Sequence, residues 1–106
     1  MSDFQRISPQ QANQLLEQGA ALVDIRDPQS FALGHISNAV RLDNDNLPGY
    51  LATANKHTPL IICCYHGNSS QPAAAYLASL GFDQVYSLDG GFELWRQQYP
   101  DAIQDS

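Results

Sequence analysis

Apolar residues along this chain come in short bursts that alternate between a strand-like and a helix-like spacing. Phe4-Gln5-Arg6-Ile7 predicts a brief edge strand. Ser8, Pro9 and Gln11 then form a helix start: a capping serine, a proline in the first turn and a glutamine three residues after the cap. Ala12, Leu15 and Leu16 give that helix one apolar face, and Gly19 ends it. Ala20 to Ile25 is a buried-strand run, with Asp27-Pro28 next as a second cap and Gly34 as a second stop. Ala39-Val40-Arg41-Leu42 predicts a weaker strand, and Leu47 to Ala54 a helix that carries Pro48 and Gly49. Pro59-Leu60-Ile61-Ile62-Cys63 is the strongest strand of the chain. Ala73, Tyr76, Leu77 and Leu80 recur at helical spacing, with Gly81 behind them. Gln84 to Leu88 is a strand, Gly90-Gly91 breaks it, and Phe92 to Tyr99 predicts a last helix before Pro100.

Strands alternating with helices predict an α/β fold: a mainly parallel central sheet with helices on both faces and right-handed crossovers. The 106 residues fit one domain, 1–106, with its core at about 4–99 and a loose tail over 101–106. Five Lys and Arg against eleven Asp and Glu give a net charge of −6, which disfavours a broad grip on nucleic acid or an anionic membrane. No apolar run approaches the roughly 20 residues of a membrane span, and Met1 to Gln5 carry no secretory pattern. The expectation is a cytoplasmic protein. Two adjacent cysteines, Cys63 and Cys64, with histidines at 35, 57 and 66, make neither a stapling disulfide nor a convincing zinc set, so no metal site is expected.

In a parallel sheet ligands bind beyond the carboxyl ends of the strands, which directs attention to the segment after Cys63. Cys64-Tyr65-His66-Gly67-Asn68-Ser69-Ser70 leaves the best strand and enters the best-patterned helix. Gly67 and Asn68 tolerate positive φ, so the chain can curl and turn its N–H groups inward as an anion nest. A helix N-terminus adds unpaired donors, and Ser69 and Ser70 can cap it or offer a hydroxyl to the occupant. A thiol at the mouth of such a cradle ionises easily and makes Cys64 the candidate nucleophile, whereas Cys63 reads as a core residue. Cysteine phosphatases place an arginine six residues after the cysteine; here that position is Ser70, and no Lys or Arg lies between Cys64 and Leu80. A loop of this kind suits a smaller anionic guest, such as one extra sulfur atom held as a persulfide.

These residues resemble the rhodanese family of sulfurtransferases, and within it the one-domain bacterial members. Three blocks carry the resemblance: Leu22-Val23-Asp24-Ile25-Arg26 with Phe31 to Ile36; Ile61-Ile62-Cys63-Cys64 with the loop Tyr65 to Ser70; and Leu88-Asp89-Gly90-Gly91-Phe92 with Trp95. The resemblance implies a ping-pong thiosulfate sulfurtransferase that carries sulfur as a Cys64 persulfide. The backbone of Tyr65, His66, Gly67, Asn68, Ser69 and Ser70 would form the anion-binding loop. It implies thiosulfate as donor and cyanide, a thiol or a dithiol as acceptor, a small redox protein among the candidates, and a reaction that needs no metal or organic cofactor. The alternatives are a sulfur carrier or binding module for a protein partner, and a phosphatase or arsenate reductase on a related fold.

Other residues read as structural. His35 ties down a turn, Asp24 and Arg26 pair or anchor a loop at the site's rim, Asp89-Gly90-Gly91 is a turn, and Trp95 is core. His66 is an exposed loop side chain or a contact to the donor.

Overall fold

A computed structural model describes residues 3–105 of the chain. Five strands form a parallel sheet in the order β1-β6-β5-β2-β4: β1 (Gln5–Ile7), β2 (Ala21–Asp24), β4 (Val40–Arg41), β5 (Leu60–Cys63) and β6 (Val85–Leu88). The helices are α1 (Pro9–Glu17), α2 (Pro28–Leu33), α3 (Leu47–Thr53), α4 (Ser70–Ser79) and α5 (Gly91–Gln98). A small antiparallel pair, β3 (His35–Ile36) with β7 (Ile103–Gln104), stands apart from the main sheet.

The central strands are apolar without interruption, yet their side chains divide between two cores. Leu22, Ile61, Cys63 and Leu88 point toward α1 and α5, where they meet Ala12, Phe92 and Trp95. Val23, Leu60, Ile62 and Val85 point the other way, toward α3 and α4, and meet Ala74 and Leu77. A strand buried on both faces has no polar side, so its sequence loses the alternation of an edge strand. Each fully buried Leu or Ile contributes roughly 1.5–3 kcal/mol.

Two of the predicted helix starts hold in detail. The Gln11 N–H donates to Ser8 Oγ at 3.2 Å, and the Gln11 side chain accepts the Ser8 N–H at 2.9 Å. Asp27 caps α2 by accepting the Ser30 N–H at 2.8 Å, with Pro28 in the first turn. Such caps contribute about 1 kcal/mol each.

Three expectations fail. Residues 101–106 are not simply a loose tail, because Ile103–Gln104 pairs with His35–Ile36 and the Ser37 N–H donates to the Ala102 carbonyl; Ser106 lies outside the described residues. Two-residue strands carry no periodicity, so only their pairing across the chain reveals them. Tyr76 is 54% exposed although its spacing puts it with Leu77, because α4 meets the sheet through Ala74, Leu77 and Ser70. Ser69 makes no side-chain cap: its backbone is already helical, whereas a capping side chain reaches the next turn from an extended backbone.

Register sets the site. Asp24 on β2 lies beside Cys63 on β5, and the Ile25 N–H donates to the Cys63 carbonyl at 2.9 Å. The chain after β2 and the chain after β5 therefore leave the sheet side by side at its carboxyl end. Among the described residues no helix is long and apolar enough to cross a membrane.

Candidate active site

The loop from Cys64 to Ser70 wraps around its own first side chain. Cys64 Sγ accepts the Gly67 N–H at 3.1 Å and the Ser70 N–H at 3.3 Å, and the Ser70 hydroxyl lies 3.3 Å away. Gly67 sits at φ +89°, the curl the loop needs; Asn68, whose type also tolerates that region, does not use it. A Cβ on Gly67 would stand 2.9 Å from the Gly90 nitrogen, so space and backbone both require glycine there. Tyr65, His66, Asn68 and Ser69 present exposed faces, while Cys64, Gly67 and Ser70 are buried.

The inward N–H groups have a cause outside the loop. The first turn of α5 donates two bonds to it: Phe92 N–H to the Cys64 carbonyl at 2.8 Å and Glu93 N–H to the Tyr65 carbonyl at 3.1 Å. A trans peptide points its N–H opposite to its carbonyl. Fixing the Tyr65 carbonyl toward α5 thus turns the His66 N–H toward the sulfur. Gly91 makes this approach feasible. It sits at φ +57°, and a Cβ there would lie 2.4 Å from the Cys64 carbonyl oxygen. The expected simple turn at Asp89-Gly90-Gly91 is also the clamp on the loop. Gln71 holds the loop from the far side by donating to the Gly67 carbonyl at 2.9 Å.

These contacts set the electrostatics. Burial pushes the Cys64 thiol up. The Ser70 hydroxyl and the N–H groups of Ser70, Gly67 and His66 outweigh it and hold the thiol below its ordinary value. Cys63 behaves oppositely: it is fully buried in the α1/α5 core, and burial first, then the Asp24 charge, pushes its thiol well up. The surroundings of the two adjacent thiols thus act in opposite directions, favouring the thiolate at Cys64 and the thiol at Cys63.

Arg26 supplies no free cation. It is 5% exposed, binds Asp24 through both carboxylate oxygens at 2.8–3.0 Å and donates to the Gly34 carbonyl at 2.7 Å. Its guanidinium stacks 4.1 Å from the Phe92 ring, so the pair anchors α2 and α5 together. His35 lies against the Phe31 ring and pairs Nδ1 with the Phe31 carbonyl at 2.8 Å, the turn-fixing role expected of it.

Tyr65 reaches away from the sulfur. Its hydroxyl donates to the Asp27 carboxylate and lies 3.1 Å from Ser30 Oγ, tying the loop to the start of α2. That bond, with the Ser30 backbone and hydroxyl donors, lowers Asp27 to about 2. A depressed carboxylate adds stability above its unfolded value and loses it as pH falls through the folded one, here from about pH 4 toward pH 2. In Tyr65→Phe the Asp27 titration, tracked by carboxyl-carbon NMR, moves up toward the ordinary range; an unchanged titration would contradict the tether. The tether was invisible in the sequence, where 27 and 65 share no local pattern. Beside Tyr65 a cleft of about 500 Å³ opens between α2 and α5, lined by Leu33, Phe92, Arg96 and their neighbours. A second, more apolar groove of about 330 Å³ lies by Ile25, Leu42 and Tyr76 and does not include Cys64.

Known proteins resemble this arrangement closely. A family profile described as the rhodanese-like domain matches residues 8–98. The chain is 65% identical over 100 residues to a thiosulfate sulfurtransferase GlpE of Ectopseudomonas mendocina, covering 94% of this chain and 92% of that protein. It is 62% identical over 101 residues to the protein of the same name from Pseudomonas aeruginosa, covering 94% and 92%. A crystal structure of a rhodanese-like domain protein from Staphylococcus aureus superposes with a TM-score of 0.74 at 29% identity, over 87% of this chain and 91% of that one.

Proposed function

The chain belongs to the rhodanese family, and from that premise we propose that it is a thiosulfate sulfurtransferase that carries sulfur on Cys64. The observation that supports the site assignment best is the sulfur's own surroundings: two backbone N–H bonds and a hydroxyl, with no cation among them. That environment stabilises a small, singly charged sulfur anion, thiolate or persulfide.

In the first half-reaction the Cys64 thiolate attacks the outer sulfur of thiosulfate. The new S–S bond forms as the bond to the sulfonate sulfur breaks, and sulfite departs with the electron pair. Cys64 now bears a persulfide whose negative charge has moved to the terminal sulfur, within the same ring of donors from Tyr65 to Ser70. In the second half-reaction cyanide or a thiolate attacks that terminal sulfur. Thiocyanate or an acceptor persulfide leaves, and the Cys64 thiolate is restored. With Cys64 already a thiolate no proton is transferred in either step, so the chemistry needs no general base. Cys64 is only 3% exposed. Access that narrow favours a donor whose reacting sulfur is a terminal atom, as in thiosulfate.

Phosphoryl transfer fits the site poorly. Ser70 occupies the position where a phosphatase carries its clamping arginine, and Arg26 is committed to Asp24 and Gly34. The proposal includes a cytoplasmic setting, whose reducing poise keeps Cys64 a thiol. It also includes a dithiol or a small redox protein as the acceptor in the cell, and residues 4–99 acting as one catalytic unit.

Initial rates of thiocyanate formation, measured over a grid of thiosulfate and cyanide concentrations, test the mechanism. The expected double-reciprocal plots are parallel lines, because sulfite leaves before cyanide attacks. Intersecting lines would require both substrates on the protein at once and would reject the persulfide route.

A further inference from the structure

A second buried hydroxyl stands behind Ser70. Ser87 lies on β6 beside Ile62 of β5 and is fully buried, as is Ser70. The two Oγ atoms are 2.7 Å apart, and Ser70 Oγ is in turn 3.3 Å from Cys64 Sγ. Among the described residues, Ser70 is the hydrogen-bond partner of the Ser87 hydroxyl. Val85 and Leu88, on the same strand as Ser87, are buried apolar residues. An alanine would suit that setting if packing alone mattered.

We propose that Ser87 is a positioning residue for sulfur transfer, whose hydroxyl commits the Ser70 proton to the Cys64 sulfur. This deepens the function proposed above and rests on it for the role of Cys64. The reason lies in a count of protons. The line Sγ, Ser70 Oγ, Ser87 Oγ contains two contacts. With Cys64 as thiolate it contains two protons: Ser87 donates to Ser70, and Ser70 donates to the sulfur. Every proton has an acceptor, and both bonds point toward the negative charge, so each polarises the next. With Cys64 as thiol, three protons compete for two contacts, and one must point out of the line. Buried donors without acceptors are disfavoured, so the line favours the thiolate. Without the Ser87 hydroxyl, Ser70 Oγ loses its donor and its hydroxyl is free to turn from the sulfur.

The titratable and charged groups on the segments that build the site come from several elements. They are Cys63 on β5, Tyr65 and His66 on the loop, the Asp24–Arg26 pair after β2, Asp89 after β6 and Glu93 on α5. The sulfur's side-chain hydrogen bond is to Ser70.

The test is the pH profile of Cys64 alkylation by iodoacetamide, read by mass spectrometry with Cys63 scored separately. It is run on the wild type, Ser87→Ala, Ser87→Thr, Ser70→Ala and the Ser70→Ala, Ser87→Ala double variant. Ser87→Ala is expected to move the profile up by about half a pH unit, roughly a threefold loss of rate at a fixed pH below the midpoint. Ser87→Thr keeps the hydroxyl and stays with the wild type. In the Ser70→Ala background, Ser87→Ala adds nothing, because the line is already cut. A Ser87→Ala profile that coincides with the wild type, or an equal shift with and without Ser70, would overturn the proposal. Should Ser87→Ala not fold, Ser87→Cys is close in size, replaces the hydroxyl by a weak donor and carries the same expectation, with its own thiol scored separately. A wild-type protein that takes no sulfur from thiosulfate would remove the sulfur-transfer reading instead, and the alkylation profiles would still judge Ser87.

Discussion

Cys64→Ser loses thiocyanate formation by at least about a thousandfold while the fold persists. The serine oxygen fits the same ring of donors, since Gly67, Ser70 and His66 offer N–H groups to whichever atom stands there. What is lost is the nucleophile. An aliphatic hydroxyl does not ionise near neutral pH, and no side chain in the loop is placed as a base to take its proton. The adjacent thiol cannot substitute. Cys63 points into the α1/α5 core, is fully buried and has its ionisation suppressed by burial. Cys63→Ala therefore keeps transfer within about threefold and costs roughly 1 kcal/mol of packing. The check is a steady-state cyanide assay on both variants, with circular dichroism confirming the fold. Comparable losses in the two would place the chemistry on the pair, not on Cys64.

Gly91→Ala is expected to damage stability and turnover together. Its Cβ would lie 2.4 Å from the Cys64 carbonyl oxygen and 2.6 Å from the Tyr65 carbonyl carbon and oxygen, all backbone atoms that cannot swing away. The residue also occupies φ +57°, where a side chain adds strain. Relief requires α5 to retreat from the loop, breaking the bonds from Phe92 and Glu93 to the Cys64 and Tyr65 carbonyls. Strain plus two lost hydrogen bonds amounts to about 3 kcal/mol, a large share of a small domain's stability. The released carbonyls also let the His66 N–H turn from the sulfur, so the surviving folded protein transfers sulfur more slowly. Gly49→Ala is the control: a Cβ there meets nothing within 4 Å, and the residue lies in α3. It should be neutral or stabilising by up to about 1 kcal/mol. Urea unfolding of the two variants decides it, and a Gly91→Ala midpoint equal to that of the wild type would refute the clamp.

The sequence made legible what depends on neighbours along the chain. Ser8 with Gln11 and Asp27 with Pro28 announce their helices because caps act over three residues. Leu60 to Cys63 announce a central strand by being apolar throughout, and the loop after it announces itself by Gly67 and the serines. Ser70 was legible as a hydroxyl donor to the site, and lies 3.3 Å from the sulfur. The contacts between distant segments were not legible. Gly91 reads as a strand breaker until α5 is seen against the Cys64 backbone. The Tyr65 tether to Asp27 depends on β2 lying next to β5. Ser87 reads as a lone polar residue in a strand until α4 brings Ser70 to within 2.7 Å of it. Ile103–Gln104, too short to show a period, is visible only as the partner of His35–Ile36.

The most direct test of sulfur carriage on Cys64 is the intact mass of the reduced protein after incubation with thiosulfate and desalting, with peptide mapping of the product. The expected result is a gain of one sulfur atom, mapped to Cys64 and removed by cyanide with release of thiocyanate. A folded protein that gains no sulfur, or that carries it on Cys63, would contradict the mechanism.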